Sequence, residues 1–238
     1  MQIHFVSFGG PSENYVKAVE RLREQAIQMN VFSSISIYTH KDLTAFKHKE
    51  FMDNNPRGYG YWIWKAHVIE KTLLQIPEGD LLMYLDAGCE LNYYGKRRLF
   101  ELIPTVLNKK IIGTHSISTD VTYTKKATRD AIFCDPALWN KNHMQAGYLF
   151  MCNCPEIREL MRDWNYWNGH YELINDVVVE SETPAFIEHR HDQSIFNLLV
   201  KSRGLHNYEA EPADVSINNP VWYCRNRNGT PLQIERPY

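Results

Sequence analysis

An apolar run that ends on a single carboxylate is the feature that most restricts the fold of this chain. The run Leu81–Leu85 follows two turn residues, and Asp86 comes directly after it. Five apolar residues bounded in this way are typical of a buried strand. In open α/β sheets, ligands bind beyond the carboxyl ends of the strands, which is where Asp86 would lie. The run predicts an α/β domain with a ligand site at Asp86; the alternative is an aspartate that merely ends a strand in a turn.

Length, composition and charge restrict the class of protein. The 238 residues suit one large domain, and a hydrophobic content of 44% is ample for a core. The formal charge of −2 gives no reason to expect a nucleic-acid partner. No run approaches the roughly 20 apolar residues of a membrane span, and we expect no secretion signal. Five scattered cysteines favour a reducing, cytoplasmic location.

The hydrophobic pattern predicts alternating strands and helices. Strands are expected at residues 3–8, 34–38, 81–86, 110–114 and 145–151, and helices at 15–26, 61–76, 99–107, 155–167 and 192–204. Ser12 is the expected cap of the first helix. This order favours a mostly parallel central sheet flanked by helices, in a single Rossmann-like domain.

An aromatic, glycine-rich segment is the first candidate for a binding site. Between Asn55 and Lys65, aromatic side chains alternate with glycines and with the charge of Arg57. The glycines on both sides of Tyr59 allow the backbone to approach a ligand closely, and aromatic rings can stack on a base or sugar. Arg57 and Lys65 supply positive charge for phosphates. The alternative is a loop whose aromatic residues fill the core.

Asp86 is also a candidate metal ligand. Hard cations such as Mg²⁺ take oxygen ligands and can join a carboxylate to a diphosphate. An Asp-X-Asp motif would supply two carboxylates, but Gly88 stands at the second position, so Asp86 would act alone or with Glu90. Metal binding at Asp86 is therefore a hypothesis that depends on phosphate oxygens from the ligand.

A polar turn before the last predicted helix is the third candidate. The segment Glu188–Ser194 places two histidines, an arginine and a glutamine around Asp192. A helix start presents free amide groups and the positive end of the helix dipole, which favours anionic or hydroxylated ligands. The alternative role for Asp192 is that of a helix N-cap. A metallohydrolase is disfavoured, because Gln193 stands where its motif carries a further histidine.

Taken in order, these segments resemble a known group of proteins. Arg57–Lys65, Leu85–Glu90 and Glu188–Ser194 are similar to segments of glycosyltransferase-like proteins from bacterial capsule or surface-polysaccharide genes and from large DNA viruses. More distantly, the order resembles GT-A glycosyltransferases of the glycosyltransferase family 8 type. In that family a strand-end Asp-X-Asp binds metal and nucleotide diphosphate, an Asn-Ala-Gly segment contacts the donor sugar, and a later Asp-Gln lies near the anomeric carbon. The resemblance spans about residues 3–204.

The resemblance implies one GT-A-like glycosyltransferase domain over residues 1–238. It implies a nucleotide-binding half at 1–90, a sugar- and acceptor-binding half at 91–211, and a surface-wrapping tail at 212–238. Such a protein moves a sugar from a nucleotide-diphosphate donor to a hydroxyl of a glycan or glycoprotein acceptor, with a divalent cation (Mn²⁺ or Mg²⁺) at Asp86. Asp192 becomes the candidate catalytic carboxylate. The implied donor-binding residues are Arg57, Tyr59, Lys65, Asp86, Ala87, Gln145 (in place of Asn), Ala146, Gly147, His191 and Gln193.

Two other classes stay open. A non-catalytic nucleotide- or carbohydrate-binding module could use the same aromatic cleft, and it needs neither Asp86 nor Asp192 as a carboxylate. A nucleotidyltransferase usually carries a basic, glycine-rich loop after its first strand, whereas Phe8–Glu13 contains no lysine or arginine. The glycosyltransferase hypothesis depends on one spatial expectation, that Asp86 and Asp192 lie on a shared cavity.

Overall fold

A five-stranded sheet forms the centre of the computed structural model, which describes residues 1–178, 181–206 and 211–232. The strands are β1 (Ile3–Gly9), β2 (Phe32–Thr39), β3 (Leu81–Asp86), β4 (Glu90–Leu91), β5 (Ile111–Thr119), β6 (Asn142–Cys152) and β7 (Val221–Trp222). The central sheet has the order β2-β1-β3-β6-β5, and β4 pairs with β7 in a separate ribbon. All five central strands were predicted, with ends that differ by a few residues.

The strand directions confirm a mostly parallel sheet. β1 runs parallel to both β2 and β3, which brings their carboxyl ends to one edge. β6 runs antiparallel to β3 and to β5, so four of the five strands point in the same direction. All side chains from Leu81 to Leu85 are fully buried, as expected for a central strand that is covered on both faces.

Helices cover the sheet. They are α1 (Glu13–Met29), α2 (Lys49–Asn54), α3 (Gly58–Tyr61), α4 (Trp64–Leu73), α5 (Lys96–Lys109), α6 (Asp120–Tyr123), α7 (Lys126–Ala131), α8 (Pro155–Asn168), α9 (Tyr171–Ile174) and α10 (Asp192–Ser202). α1 packs against β1 and β2, whereas α10 packs on β6 and on α8, and α8 also packs on α4. Ser12 stands at the N-cap position of α1, as predicted, but its side chain makes no capping hydrogen bond. No described helix is long and apolar enough to cross a membrane.

The helix predicted at residues 61–76 begins only at Trp64, because the turn before it has the opposite hand. Each residue from Gly58 to Trp62 has a positive φ, between 52° and 79°. The amide of Trp62 donates to the carbonyl of Gly58 at 3.1 Å, so α3 is one left-handed helical turn. Left-handed backbone costs a non-glycine residue about 1–2 kcal/mol, and three of the five residues carry aromatic side chains. Backbone strain of this kind is concentrated at functional sites.

Residues 212–238 were predicted to form a tail that wraps the surface. The described part of this tail also pairs with the region after β3. Its strand β7 pairs with β4, and β4 is the strand that follows β3 in the chain. Buried Glu90 accepts hydrogen bonds from the side chain of Asn226 at 2.6 Å and from the amide of Leu232 at 3.0 Å. These contacts bring the tail to the end of β3; its residues 233–238 lie outside the described part of the chain.

Candidate active site

A cavity of about 920 Å³ lies at the carboxyl ends of β1, β2 and β3. Residues that follow these three strands form one wall, and residues of β5 and β6 form another. The left-handed turn, the start of α10 and the tail complete it. The edge predicted from the sequence to bind a ligand is thus the edge that carries the cavity.

Most of the predicted site residues line this cavity. These are Arg57, Tyr59, Lys65, Asp86, Ala87, Gln145, Gly147, His191, Asp192 and Gln193. Ala146 is absent from the cavity wall: it is 1% exposed and belongs to the core. Alternate side chains of a strand point to opposite faces, so Gln145 and Gly147 face the cavity and Ala146 does not. Only its amide contributes, by donating to the side-chain oxygen of Gln193 at 3.4 Å.

The centre of the site is a lysine between two aspartates. The ammonium nitrogen Nζ of Lys65 lies 3.2 Å from Oδ1 of Asp86 and 3.1 Å from Oδ2 of Asp192. Tyr84 donates its hydroxyl to the same Asp86 oxygen at 2.6 Å. The side chains of Lys65 and Asp192 are each 4% exposed, whereas that of Asp86 is 29% exposed toward the cavity. The two carboxylates, 106 positions apart in the sequence, therefore meet at one ammonium group.

Burial gives this cluster unusual electrostatics. It raises the pKa of Asp192 to about 6; the nearby charge of Asp86 adds to the rise, and Lys65 opposes it. Burial would lower the pKa of Lys65, but attraction to Asp192 and Asp86 outweighs it and holds that pKa above its usual value. Asp192 therefore changes protonation close to neutral pH while Lys65 stays charged, as suits a general base beside a fixed cation.

The residues around Asp86 do not fit a resident divalent cation. Such ions collect several oxygen ligands, usually including more than one carboxylate when they bind without substrate. Oδ1 of Asp86 is already shared by Tyr84 and Lys65, and Gly88 supplies no second carboxylate. Glu90, the other candidate, is fully buried and hydrogen-bonded to the tail and to Gln25. Among the described residues, no group of three or more His, Cys, Asp or Glu could hold a metal.

A second strained position lies directly before Asp192. His191 has φ 52° and ψ −122°, a conformation rare outside glycine. Its ring stacks on Tyr61 of the left-handed turn at 4.9 Å and bonds Asp176 through Nε2 at 2.8 Å. Arg57 donates to the same carboxylate at 3.0 Å. Burial lowers the pKa of His191 to about 4, so the ring is neutral and acts here by positioning the two turns.

A buried chain of polar groups holds Gln193, and sequence reasoning missed it. The side-chain nitrogen of Gln193 lies 3.5 Å from Nδ1 of His143, whose Nε2 bonds Asp120 at 2.9 Å. Lys201 donates to the other oxygen of Asp120 at 2.5 Å. All three supporting side chains are buried. Their positions between 120 and 201 gave no pattern in the sequence, since only the fold brings them together.

The tail supplies the other residues that the sequence did not indicate. Tyr223, Arg225 and Arg227 also line the cavity. A Cβ atom on Gly147 would lie 2.6 Å from the Tyr223 hydroxyl and 2.6 Å from Oδ2 of Asp86, so these groups converge closely. The abundance of Arg and Asn in the tail was visible in the sequence, but nothing there connected it to Asp86.

Comparisons with known proteins find similar solved structures but no matching family. No family model and no curated protein matches the chain. Among solved structures, it is similar to a glycosyltransferase involved in the glycosylation of the major capsid of PBCV-1, with 13% identity and a TM-score of 0.40 over 71% of this chain and 68% of that one. It is also similar to mouse xyloside xylosyltransferase 1 in its apo form, with 15% identity and a TM-score of 0.43 over 84% and 82% of the two chains.

Both structures are glycosyltransferases, the class that the sequence resemblance indicated. The narrower resemblance to family 8 stays a prediction. Likenesses this low carry no argument about activity, and we therefore derive the function from the cavity itself.

Proposed function

We propose that the protein is a glycosyltransferase that moves a sugar from a nucleoside-diphosphate donor to a hydroxyl group of a glycan or glycoprotein acceptor. The observation that carries this proposal is the buried Lys65 bridge between Asp86 and Asp192 at the floor of the cavity. All five cysteines are free thiols, which suits a reducing compartment such as the cytoplasm.

The charge of the cavity supports an anionic substrate. Among the described residues, its lining contains six lysine or arginine side chains and only three aspartates, although the whole chain has a formal charge of −2. Oriented cations are the usual means of stabilising a leaving phosphate. The volume, about 920 Å³, lies at the upper end of the range of small-molecule sites. A nucleotide sugar has both the size and the charge for such a cavity.

Aromatic residues of the cavity lining suit the nucleotide base. Phe8 stacks on Trp64 with ring centroids 3.9 Å apart, and Tyr59 lies beyond it at 6.5 Å from Phe8. His40 lines the same wall. Flat rings of this kind stack on bases. We place the base here and the diphosphate near Lys65 and the tail, which puts the sugar between Gly147 and Asp192.

Asp192 then becomes the group nearest to the reacting carbon. In an inverting reaction its carboxylate takes the proton of the acceptor hydroxyl. In a retaining reaction it stabilises positive charge on the sugar. Burial among protein groups keeps either interaction strong, because little water screens it. Analysis of the anomeric configuration of the product distinguishes the two.

Incubation with a panel of nucleotide sugars tests the proposal. We expect slow release of a nucleoside diphosphate from at least one donor, and faster release when a glycan acceptor is added. A non-catalytic binding module would bind a nucleotide or sugar in calorimetry and release no diphosphate. That outcome would contradict the proposed reaction.

Gly147 offers a test of the donor position. A Cβ atom on Gly147 would lie 2.6 Å from the Asp86 carboxylate, whereas one on Gly88 would lie 3.4 Å from its nearest neighbour, an ordinary contact. We expect Gly147→Ala to weaken donor binding by at least about tenfold, since crowding of a packed site costs roughly 1–3 kcal/mol. Gly88→Ala, at a second glycine of the cavity lining, is the matched control. Equal affinities of the two variants in calorimetric titration would place the sugar elsewhere.

A further inference from the structure

A basic segment of the tail faces the end of β3. Arg225 and Arg227 are exposed, and both line the cavity that holds Asp86. Neither guanidinium group forms an ion pair within the described part of the chain. Other cations of the cavity already have partners: Lys49 pairs with Asp53, and Arg57 pairs with Asp176. Arg227 lies over the ring of Tyr15, 5.8 Å from the ring centroid, but neither tail arginine pairs with a carboxylate of the described residues, so both are available to an incoming anion.

The fold holds this segment in place through a buried arginine. Arg21, which is 3% exposed, donates to the carbonyl oxygens of Asn226 and Asn228 at 3.1 and 2.7 Å. It also donates to those of Ala87 and Cys89, at 2.9 and 2.7 Å. One side chain thus joins the tail to the loop after Asp86.

Two further contacts hold the tail segment in the same position. The amide of Asn226 donates to the carbonyl of Gly88 at 2.8 Å, and the side chain of Asn226 donates to buried Glu90 at 2.6 Å. Arg225 lies between Asn226 and Cys224, whose thiol donates to the carbonyl of Gly88 at 3.5 Å, and it has a positive φ of 56°. A strained residue that is anchored on both sides is a placed group rather than a random surface arginine.

The tail segment also lies close to Gly88, the position at which an Asp-X-Asp motif would carry its second aspartate. A Cβ atom on Gly88 would lie 3.4 Å from the Cα atom of Arg225, so the tail covers the position where an Asp-X-Asp motif would carry its second aspartate. Asp86 itself already has a cationic partner, because the ammonium of Lys65 lies 3.2 Å from its Oδ1 atom. The backbone of the tail therefore occupies the place where a second acidic ligand for a divalent cation would stand.

We propose that the protein binds the diphosphate of its donor without a divalent cation, through Arg225 and Arg227 of the tail. This inference rests on the proposed function for the identity of the donor, but the diphosphate site can be tested separately. Guanidinium groups form paired, charge-assisted hydrogen bonds with phosphate oxygens. Two of them carry the charge that would otherwise come from one divalent ion.

The same groups act in the transfer step. The bond between the anomeric carbon and the phosphate oxygen breaks, and its electron pair stays on the diphosphate. The acceptor oxygen forms the new bond to that carbon, and in the inverting case its proton passes to Asp192. The arginines balance the added negative charge on the leaving diphosphate. Because they are already in place, this stabilisation requires no rearrangement during the reaction.

Calorimetric titration with inorganic pyrophosphate, and with a panel of nucleoside diphosphates, tests the site. In EDTA we expect wild-type protein to bind pyrophosphate and at least one nucleoside diphosphate, and added Mg²⁺ or Mn²⁺ should not tighten the binding. Arg225→Gln and Arg227→Gln should each weaken it on the order of tenfold, as expected for the loss of a hydrogen bond to a charged group. Arg97→Gln, whose side chain is 92% exposed on α5, is the control and should bind as wild type does.

Other results would overturn this inference. Binding that is seen only after a cation is added would assign the charge to a metal, and unchanged affinity of both tail variants would assign it to other residues. Absence of binding under every condition would remove the site. If pyrophosphate binds in EDTA but no nucleotide sugar is hydrolysed or transferred, the diphosphate site stands and the proposed glycosyltransferase activity fails. Both arginines are exposed, so the variants should unfold at the wild-type temperature.

Discussion

Replacement of Asp192 with asparagine is expected to lower the rate of sugar transfer by roughly 10² or more, within the range of 10²–10⁴ that general acid–base groups contribute. An amide cannot accept a proton from the acceptor hydroxyl, and it carries no negative charge to stabilise a positive sugar ring. The fold should persist, since Lys65 keeps Asp86 as a partner at 3.2 Å. The bond from Trp164 is made to the backbone oxygen of Asp192, which the substitution retains. Initial rates at saturating donor, with circular dichroism of both proteins, provide the measurement.

The pH profile separates a catalytic role from a merely structural one. Because the pKa of Asp192 is raised to about 6, the wild-type rate should fall as the pH drops through that value and the carboxylate takes up its proton. Asp192→Asn should lose this inflection. Asp130→Asn, an exposed aspartate outside the cavity lining, is the control and should keep both rate and inflection. Near-wild-type transfer by Asp192→Asn would remove this carboxylate from the mechanism.

The strands of the sheet could be predicted because each is a local pattern. The apolar run before Asp86 and the run around Tyr148 are buried on both faces, and such burial is written into a few consecutive residues. The direction of a strand is not local. β6 runs antiparallel to β3 because of the long connection through α5, β5, α6 and α7, and no residue within β6 encodes it.

The left-handed turn could not be predicted for a similar reason. Its glycines were visible, but its hand depends on contacts from outside the segment: a Cβ on Gly60 would lie 2.7 Å from the side chain of Met52. The stack of Tyr61 on His191 adds a partner more than a hundred positions away. Local propensity disfavours three aromatic residues at positive φ, and tertiary packing overrides it.

The pairing of charged side chains was the part of the site that the sequence predicted least well. Lys65 was predicted to face phosphate, because a lysine next to a loop has no visible partner in a sequence. In the fold its ammonium joins two carboxylates and is buried. Glu90 was considered as a metal ligand, yet it anchors the tail instead. Each of these roles depends on residues that approach from other elements, as do those of Arg225 and Arg227.

Replacement of Lys65 with methionine is expected to lower the free energy of unfolding by about 3–5 kcal/mol near neutral pH, the usual cost of removing one partner from a buried ion pair. Methionine has a similar length and no charge, so Asp86 and Asp192 would face each other without a cation between them. Urea denaturation of the wild type and the variant, followed by tryptophan fluorescence, measures the difference. Lys17→Met is the control, because that lysine is 58% exposed and pairs with Glu13 on the surface; such pairs contribute about 0–1 kcal/mol.

The loss in Lys65→Met should shrink as the pH falls. The pKa of Asp192 is raised in the folded protein, to about 6 even with Lys65 present, so the folded state binds its proton more readily than the unfolded chain does. The cost of the buried charge is therefore full above the folded pKa and disappears below the unfolded one. Combining Lys65→Met with Asp192→Asn should recover part of the stability near neutral pH, since one of the two opposed charges is gone. If Lys65→Met is as stable as the wild type at about pH 8, above the pKa of about 6 of Asp192, the ammonium does not hold the two aspartates together. The site would then lack the fixed cation on which the proposed chemistry depends.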